Sequence, residues 1–143
     1  MFNFFRKKQE NPFSEFAATY SKAQKASMIG IMLMLGKSAG NINKQQMDVI
    51  SNTAKMLDLD LDDPILLTAG QGGHDYLVNN LKNLNQSQKE YFVLTLHGYC
   101  LTGGENIEKL FNYSLQFCNK IGISETEYES TIKKMTLMME KFG

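Results

Sequence analysis

Apolar residues recur at intervals of three and four along nearly the whole chain, which is the spacing of one face of an α-helix. A first helix is predicted to start at Asn11 and Pro12, because Asn accepts hydrogen bonds from free backbone N–H groups and Pro has no N–H to satisfy. Its apolar face carries Phe13, Phe16, Ala17 and Tyr20. The segment 21–38 is apolar on nearly all sides, which predicts a helix in the centre of a bundle.

Turn residues divide the middle of the chain into further helices. One is predicted over 44–57, after Gly40, with Met47, Ile50, Ala54 and Leu57 on its inner face. A short helix is predicted to begin at Pro64, capped by Asp62 or Asp63, and to end at the glycines of 70–73. Leu77, Leu81 and Leu84 mark the next helix.

Two capping boxes predict later helix starts, because in each the Ser and the Glu three residues on bond each other's free backbone N–H groups. Ser87 with Glu90 opens a helix to about residue 101, and Ser124 with Glu127 opens the last helix. Between them, a glycine pair at 103–104 precedes a helix to about residue 121. The last helix has one apolar face, formed by Tyr128, Ile132, Met135, Met139 and Phe142. Met138 lies off that face, and we expect it to be exposed.

The chain contains an internal repeat. When the sequence is compared with itself at a shift of about 64 residues, a helix, a glycine-containing loop and a second helix match in both copies. The matched pairs are Gly40 with Gly104, Met47 with Phe111, Ile50 with Ser114, Ala54 with Cys118, Leu57 with Ile121, and Leu59 with Ile123. Identity is low, so a duplication and a chance likeness of two amphipathic helices both stay open. No segment alternates strictly enough to predict a strand. We therefore predict an all-α, single-domain bundle of about seven helices over 11–143, after a disordered tail at 1–10.

An apolar helix that runs into Ala-Gly-x-Ile at 39–42, then a polar helix start and the ending Met-Leu-Asp-Leu at 56–59, resembles the TerB-like tellurite-resistance family. The resemblance implies an all-helical fold with two pseudo-symmetric hairpins, here about 28–62 and 90–125, which are about half of the chain. It also implies a bacterial stress-response setting.

The chain departs from that family in the loop carboxylates suspected of binding divalent cations. The family loop reads Ala-Asp-Gly with acids soon after it, whereas Ala39 and Gly103 stand at the Asp position here. Asn43 and Gln46 replace the acids of the first copy, and Glu105 is kept in the second. Neutral amides attract a hard cation far less than carboxylates do. The resemblance therefore implies the fold without carrying the metal site over.

The overall charge is balanced, with 15 Lys and Arg against 15 Asp and Glu in 143 residues. This balance argues against a nucleic-acid-binding protein, which usually carries a basic excess. The charges are nevertheless separated along the chain. Residues 1–45 carry seven basic and two acidic groups, about +5, and residues 46–143 carry eight and thirteen, about −5. No apolar run reaches the ~20 residues of a membrane span, and no secretory signal is evident, so we expect a cytoplasmic protein.

A dense group of aspartates could bind a divalent cation. Its members are Asp58, Asp60, Asp62 and Asp63. The spacing imitates the opening of a calcium loop, but Pro64 interrupts it and the glycine and glutamate of an EF-hand are missing. Two interpretations stay open: a solvated loop that caps the next helix, and a weak cation site that includes Glu105. No other cofactor is expected.

His97 and Cys100 lie three residues apart on one predicted helix, and Cys118 lies on the next. Zinc would need four ligands, and a nucleophilic Cys would need an activating base and an orienting group that the sequence does not show. We interpret all three as structural residues, and a small enzyme with a His/Cys site is the alternative. His74 follows a glycine loop that lacks the Lys of a phosphate-binding loop. It could still contact a ligand.

The N-terminus combines aromatic and basic residues, namely Phe2, Phe4, Phe5, Arg6, Lys7 and Lys8. Such a segment suits weak contact with an anionic membrane or an acidic protein surface. We therefore predict a non-catalytic protein-binding module that uses the hairpin loops and the basic residues Arg6, Lys7 and Lys8. The alternatives are a divalent-metal sensor and peripheral membrane contact through the N-terminus.

Overall fold

The computed structural model describes residues 11–142 and contains, in that range, seven α-helices, one 3-10 turn and no strand. The helices are α1 Ser14–Ala17, α2 Lys22–Ala39, α3 Lys44–Met56, α4 Ile65–Leu81, α5 Gln86–Leu101, α6 Ile107–Lys120 and α7 Glu125–Phe142, with the 3-10 turn at Gly104–Asn106 before α6. The prediction of an all-α bundle is confirmed. The expected tail at 1–10, with Arg6, Lys7 and Lys8, lies outside the described residues.

Helix α2 is the centre of the bundle, as its all-round apolar surface predicts. It contacts α3, α4, α5 and α6, and its buried residues are Ala26, Ser27, Met28, Ile29, Ile31, Met32, Leu35, Gly36 and Ala39. A capping box between Ser21 and Gln24 fixes its start. Gly36 gives the Tyr99 hydroxyl of α5 room against the helix, since a Cβ at this position would collide with it.

The two copies of the internal repeat end in the same way. At the end of α3, the N–H of Leu59 donates to the carbonyl of Ala54 at 2.9 Å, and at the end of α6, the N–H of Ile123 donates to that of Cys118 at 2.8 Å. These bonds belong to a Schellman motif, which satisfies carbonyls at a helix end and brings an apolar residue back onto the helix. All four residues are buried. The 64-residue pattern therefore corresponds to a repeated local structure.

Helix α5 begins two residues earlier than predicted. Its capping box is formed by Asn85 and Gln88, so the predicted pair of Ser87 and Glu90 is wrong. The amide of Gln88 also donates to the carbonyl of Thr19 at 3.0 Å. Gln88 therefore completes the capping box of α5 and also links α5 to the turn between α1 and α2.

In the first half of the chain, one predicted helix end differs from the structure and one predicted helix break is present. Helix α1 is a single turn, because the chain leaves the helix after Ala17 to let Ser21 cap α2. The predicted break at the glycines of 70–73 is confirmed, because α4 consists of two helical runs on either side of Gly73, whose φ 64° and ψ −156° are not helical. Asp63 caps its start, since Oδ1 accepts from the N–H of Ile65 at 3.0 Å.

Three residues predicted to face the core lie on the surface instead. Met47 is exposed because its neighbour Gln46, the capping-box partner of α3, occupies the buried position. Met139 and Phe142 are exposed because α7 extends beyond the helices that cover its first half. Met138 is exposed, as predicted. Within residues 11–142, no helix is long and apolar enough to cross a membrane.

Candidate functional site

An apolar groove lies between α1, α5 and α7. It has a volume of about 670 Å³, and its lining consists of Phe13, Phe16, Ser87, Glu90, Tyr91, Leu94, Thr95 and Met135. The rings of Phe16 and Tyr91 meet edge to face with centroids 5.5 Å apart, a favourable arrangement for aromatic pairs. Partial burial raises the pKa of the Tyr91 hydroxyl. The surface of the groove is therefore mainly aromatic and aliphatic, with Glu90 as the one charged residue in its lining among the described residues.

Two polar contacts fix the walls of this groove. The amide of Asn11 donates to the carbonyl of Met56 at 2.6 Å and so ties the start of α1 to the end of α3. This contact holds the short α1 and its phenylalanines over α5. At the opposite wall, Lys134 of α7 pairs with Glu90 of α5 at 3.3 Å.

The apolar surface continues from the groove along the end of α7. Met139 and Phe142 follow the groove residue Met135 at helical spacing, and they are 67% and 86% exposed. Leu137 and Met138 are about half exposed on the same stretch. The charged residues of this stretch are Lys133, Lys134, Glu140 and Lys141, and three of these four are basic.

The two hairpin loops meet in a second, polar pocket of about 470 Å³. Its lining comprises Ala39, Gly40, Asn41, Asn43, Gly103, Gly104, Glu105, Asn106 and Lys109. The amide of Asn43 donates to the carbonyl of Thr102 at 2.9 Å and joins the loops. Glu105 is its one carboxylate among the described residues, and Lys109 opposes it in sign. Most side-chain oxygen atoms that could bind a cation in this pocket therefore belong to neutral amides.

Of the four aspartates predicted as cation ligands, Asp60 and Asp63 cap turns with their side chains. Asp60 accepts from the N–H of Asp62 at 3.0 Å, and Asp58 accepts from the amide of Asn11 at 3.4 Å. Asp63 pairs with Lys22 at 2.6 Å, and the hydrogen bond from Lys22 lowers the pKa of its carboxyl group. In the described part of the chain, no three His, Cys, Asp or Glu side chains form a group able to hold a metal ion. Cation binding by this cluster with Glu105 stays a prediction for calorimetric titration.

His97 and the two cysteines lie in packed surroundings. The Nδ1 atom of His97 and the Tyr128 hydroxyl are 3.1 Å apart, and partial burial lowers the pKa of the imidazole. The Cys100 thiol is 3.2 Å from the Ser114 hydroxyl. Burial raises the pKa of Cys100 to about 11 and that of Cys118 to about 12. Both thiols are thus protonated at neutral pH, whereas a nucleophilic Cys needs the thiolate.

His74 lies in helix α4 rather than in a loop, directly after the bend at Gly73. Its ring meets Phe117 of α6 edge to face, with centroids 5.8 Å apart. Its Nε2 atom is 3.2 Å from the ammonium of Lys120. The sequence alone singles out His74 but not Lys120, because Lys120 ends α6, 46 residues away, and their proximity depends on how α4 packs against α6.

The apolar groove is not predictable from the sequence either, because its walls come from three separate parts of the chain. The one indication in the sequence of apolar surface in this region is Met138, which is predicted to be exposed. The predicted binding residues Arg6, Lys7 and Lys8 precede α1 and lie outside the described residues. Comparison of the chain with protein-family models, with curated proteins and with solved structures finds no match.

Proposed function

We propose that this chain is a non-catalytic protein-binding module whose docking surface is the groove between α1, α5 and α7 together with the exposed end of α7. In line with the TerB-like resemblance, we place it in a bacterial stress response in the cytoplasm. The observation that supports the proposal is the continuous apolar surface from Tyr91 and Leu94 through Met135 to Phe142. Exposed apolar patches of this kind mark interaction sites, because each Å² left in water is unfavourable by roughly 25 cal/mol.

The partner that fits this surface is an amphipathic helix with an acidic edge. An open apolar groove along helices is the usual seat of such a helix, which inserts residues spaced by three and four. Lys133, Lys134 and Lys141 lie in the same exposed stretch of α7 and favour acidic residues on the partner. Arg6, Lys7 and Lys8 add to this preference.

A photocrosslinking amino acid at Ser87, an exposed position in the groove lining, would identify the partner in cells. The partner is then purified, and its Kd for the full chain is measured by fluorescence anisotropy. We expect Leu94→Asp and Met135→Asp to weaken binding at least tenfold, about 1.4 kcal/mol, because each places a carboxylate in the apolar contact. Binding should also weaken with added salt.

Leu67→Asp is the matched control, because Leu67 is 69% exposed on α4 and does not line the groove. Equal loss of binding in this variant would contradict the assignment of the docking surface. Crosslinks to lipid alone, with binding to anionic vesicles that removal of residues 1–8 abolishes, would favour the membrane alternative. Crosslinks between copies of the chain alone would contradict a distinct protein partner.

A further inference from the structure

A separate pocket of about 300 Å³ lies between α2 and α6, with His74 of α4 at its edge. Ile31, Met34, Leu35 and Phe117 provide its apolar side chains, and Ser38, His74, Tyr113, Gln116 and Lys120 provide its polar ones. It shares no lining residue with the apolar groove. An apolar surface with a few polar groups is typical of a small-molecule site, and this volume is at the lower end for such sites.

The polar groups of this pocket favour an anion. No Asp or Glu lines it in the part of the chain that the structure describes. The ammonium of Lys120 likewise has no carboxylate within 4.0 Å among residues 11–142. It instead lies 3.2 Å from Nε2 of His74. An ammonium has three N–H donors, so two remain for a ligand after Lys120 donates to His74.

The backbone of α4 holds His74 in place for this role. Gly73 adopts φ 64°, a left-handed conformation that glycine reaches without the cost other residues pay. The resulting bend turns His74 toward α6, where the edge-to-face contact with Phe117 fixes the ring. A ligand would therefore meet a cation whose position is set by the imidazole rather than a freely moving lysine.

We propose that this pocket binds a small amphipathic carboxylate, such as a medium-chain fatty acid. The carboxylate accepts hydrogen bonds from Lys120 and from the hydroxyl of Tyr113, and the hydrocarbon chain packs on Met34, Leu35 and Phe117. Charge-assisted hydrogen bonds give selectivity for the anion, and the apolar side chains give affinity for the chain. This proposal is independent of the protein-binding groove.

Titration of the full chain with octanoate and with octanamide, followed by NMR of the methionine methyl groups, tests the proposal. Octanamide keeps the hydrocarbon chain and removes the charge. We expect octanoate to bind about tenfold more tightly than octanamide, which corresponds to about 1.4 kcal/mol. The methyl resonance of Met34 should shift on binding, and that of Met135 in the groove should not.

Lys120→Met keeps an unbranched side chain and removes the charge, so it should reduce octanoate affinity about tenfold and leave octanamide unchanged. Lys109→Met is the control, because Lys109 is an exposed lysine of the same helix that lines the hairpin-loop pocket instead. Equal affinity for the two ligands, equal loss in both variants, or shifts confined to Met135 would each overturn the proposal. Tighter binding of octyl phosphate than of octanoate would overturn the assignment to carboxylates.

Discussion

At the residue scale, the two Schellman motifs contain different residues at the same left-handed position. Gly122 has φ 86° after α6, and its counterpart Asp58 has φ 54° after α3. Glycine adopts this conformation readily, whereas a residue with a Cβ pays roughly 1–2 kcal/mol for it. Asp58 is the one non-glycine residue with positive φ in the described range. Its side chain recovers part of this cost through the contact with Asn11.

We predict that Asp58→Gly stabilises the protein by about 0.5–1 kcal/mol. The free energy gained by relieving the left-handed strain is larger than the two costs of the substitution. These costs are the extra conformational entropy of glycine in the unfolded chain and the loss of the long contact with Asn11. Urea denaturation followed by circular dichroism measures the change. Gly122→Asp is the reciprocal variant and should destabilise by about 1 kcal/mol. A loss of stability in Asp58→Gly would show that the carboxylate has a further role, such as holding a cation.

At the element scale, α5, α6 and α7 meet at His97. The imidazole of this α5 residue lies 3.1 Å from the Tyr128 hydroxyl of α7, and its ring centroid is 5.1 Å from that of Phe111 of α6. Partial burial lowers the pKa of His97, and burial raises the pKa of Tyr128. Both shifts favour neutral side chains at the contact, so protonation of His97 acts against the packing of the three helices.

We predict that the free energy of unfolding decreases as the pH falls below about 6.5, the pKa of an unperturbed His. In that range the unfolded chain binds a proton that the folded chain resists, and above it both states are neutral at this site. Urea denaturation at pH 7.5 and 5.5 measures the effect. His97→Gln should reduce the pH dependence by roughly a few tenths of a kcal/mol, a small value because the ring is partly solvated. An unchanged dependence in the variant would exclude His97 as its source.

The start of a helix can be predicted from the sequence where a single capping motif is present and no neighbouring motif competes with it. The α7 start at Ser124 was predicted from its capping box, and Glu127 forms the expected bond at 3.1 Å. The α5 start was missed because Asn85 and Gln88 satisfy the same rule as Ser87 and Glu90, and the contact of Gln88 with Thr19 decides between them. Tertiary contacts of this kind leave no local pattern in the sequence.

At the scale of the whole molecule, α3, α4, α5 and α6 pack around α2, and the end of α7 stays outside this core. Apolar periodicity predicted both the bundle and the apolar face of α7, since one face of a helix can be read from spacing alone. It could not predict that Met139 and Phe142 would be exposed, because spacing does not show whether a neighbouring helix reaches that far. The groove and the pocket at His74 were unpredictable for the same reason.

We predict that removal of residues 136–142 changes the free energy of unfolding by less than about 1 kcal/mol, because side chains that stay in water contribute little to folding. The deletion retains Met135 and the pair of Lys134 with Glu90, so the groove keeps its wall. Urea denaturation at low and high protein concentration measures the change. Ile132→Ala, a substitution in the half-buried part of α7, should cost more than the whole deletion.

The same deletion should weaken binding of the protein partner, because it removes most of the exposed apolar surface and Lys141. Binding that weakens while stability is unchanged would show that the end of α7 serves recognition rather than folding. A stability loss of more than about 2 kcal/mol would contradict this interpretation, since only well-packed side chains contribute so much. If that loss appeared only at high protein concentration, the end of α7 would be covered by a second copy of the chain.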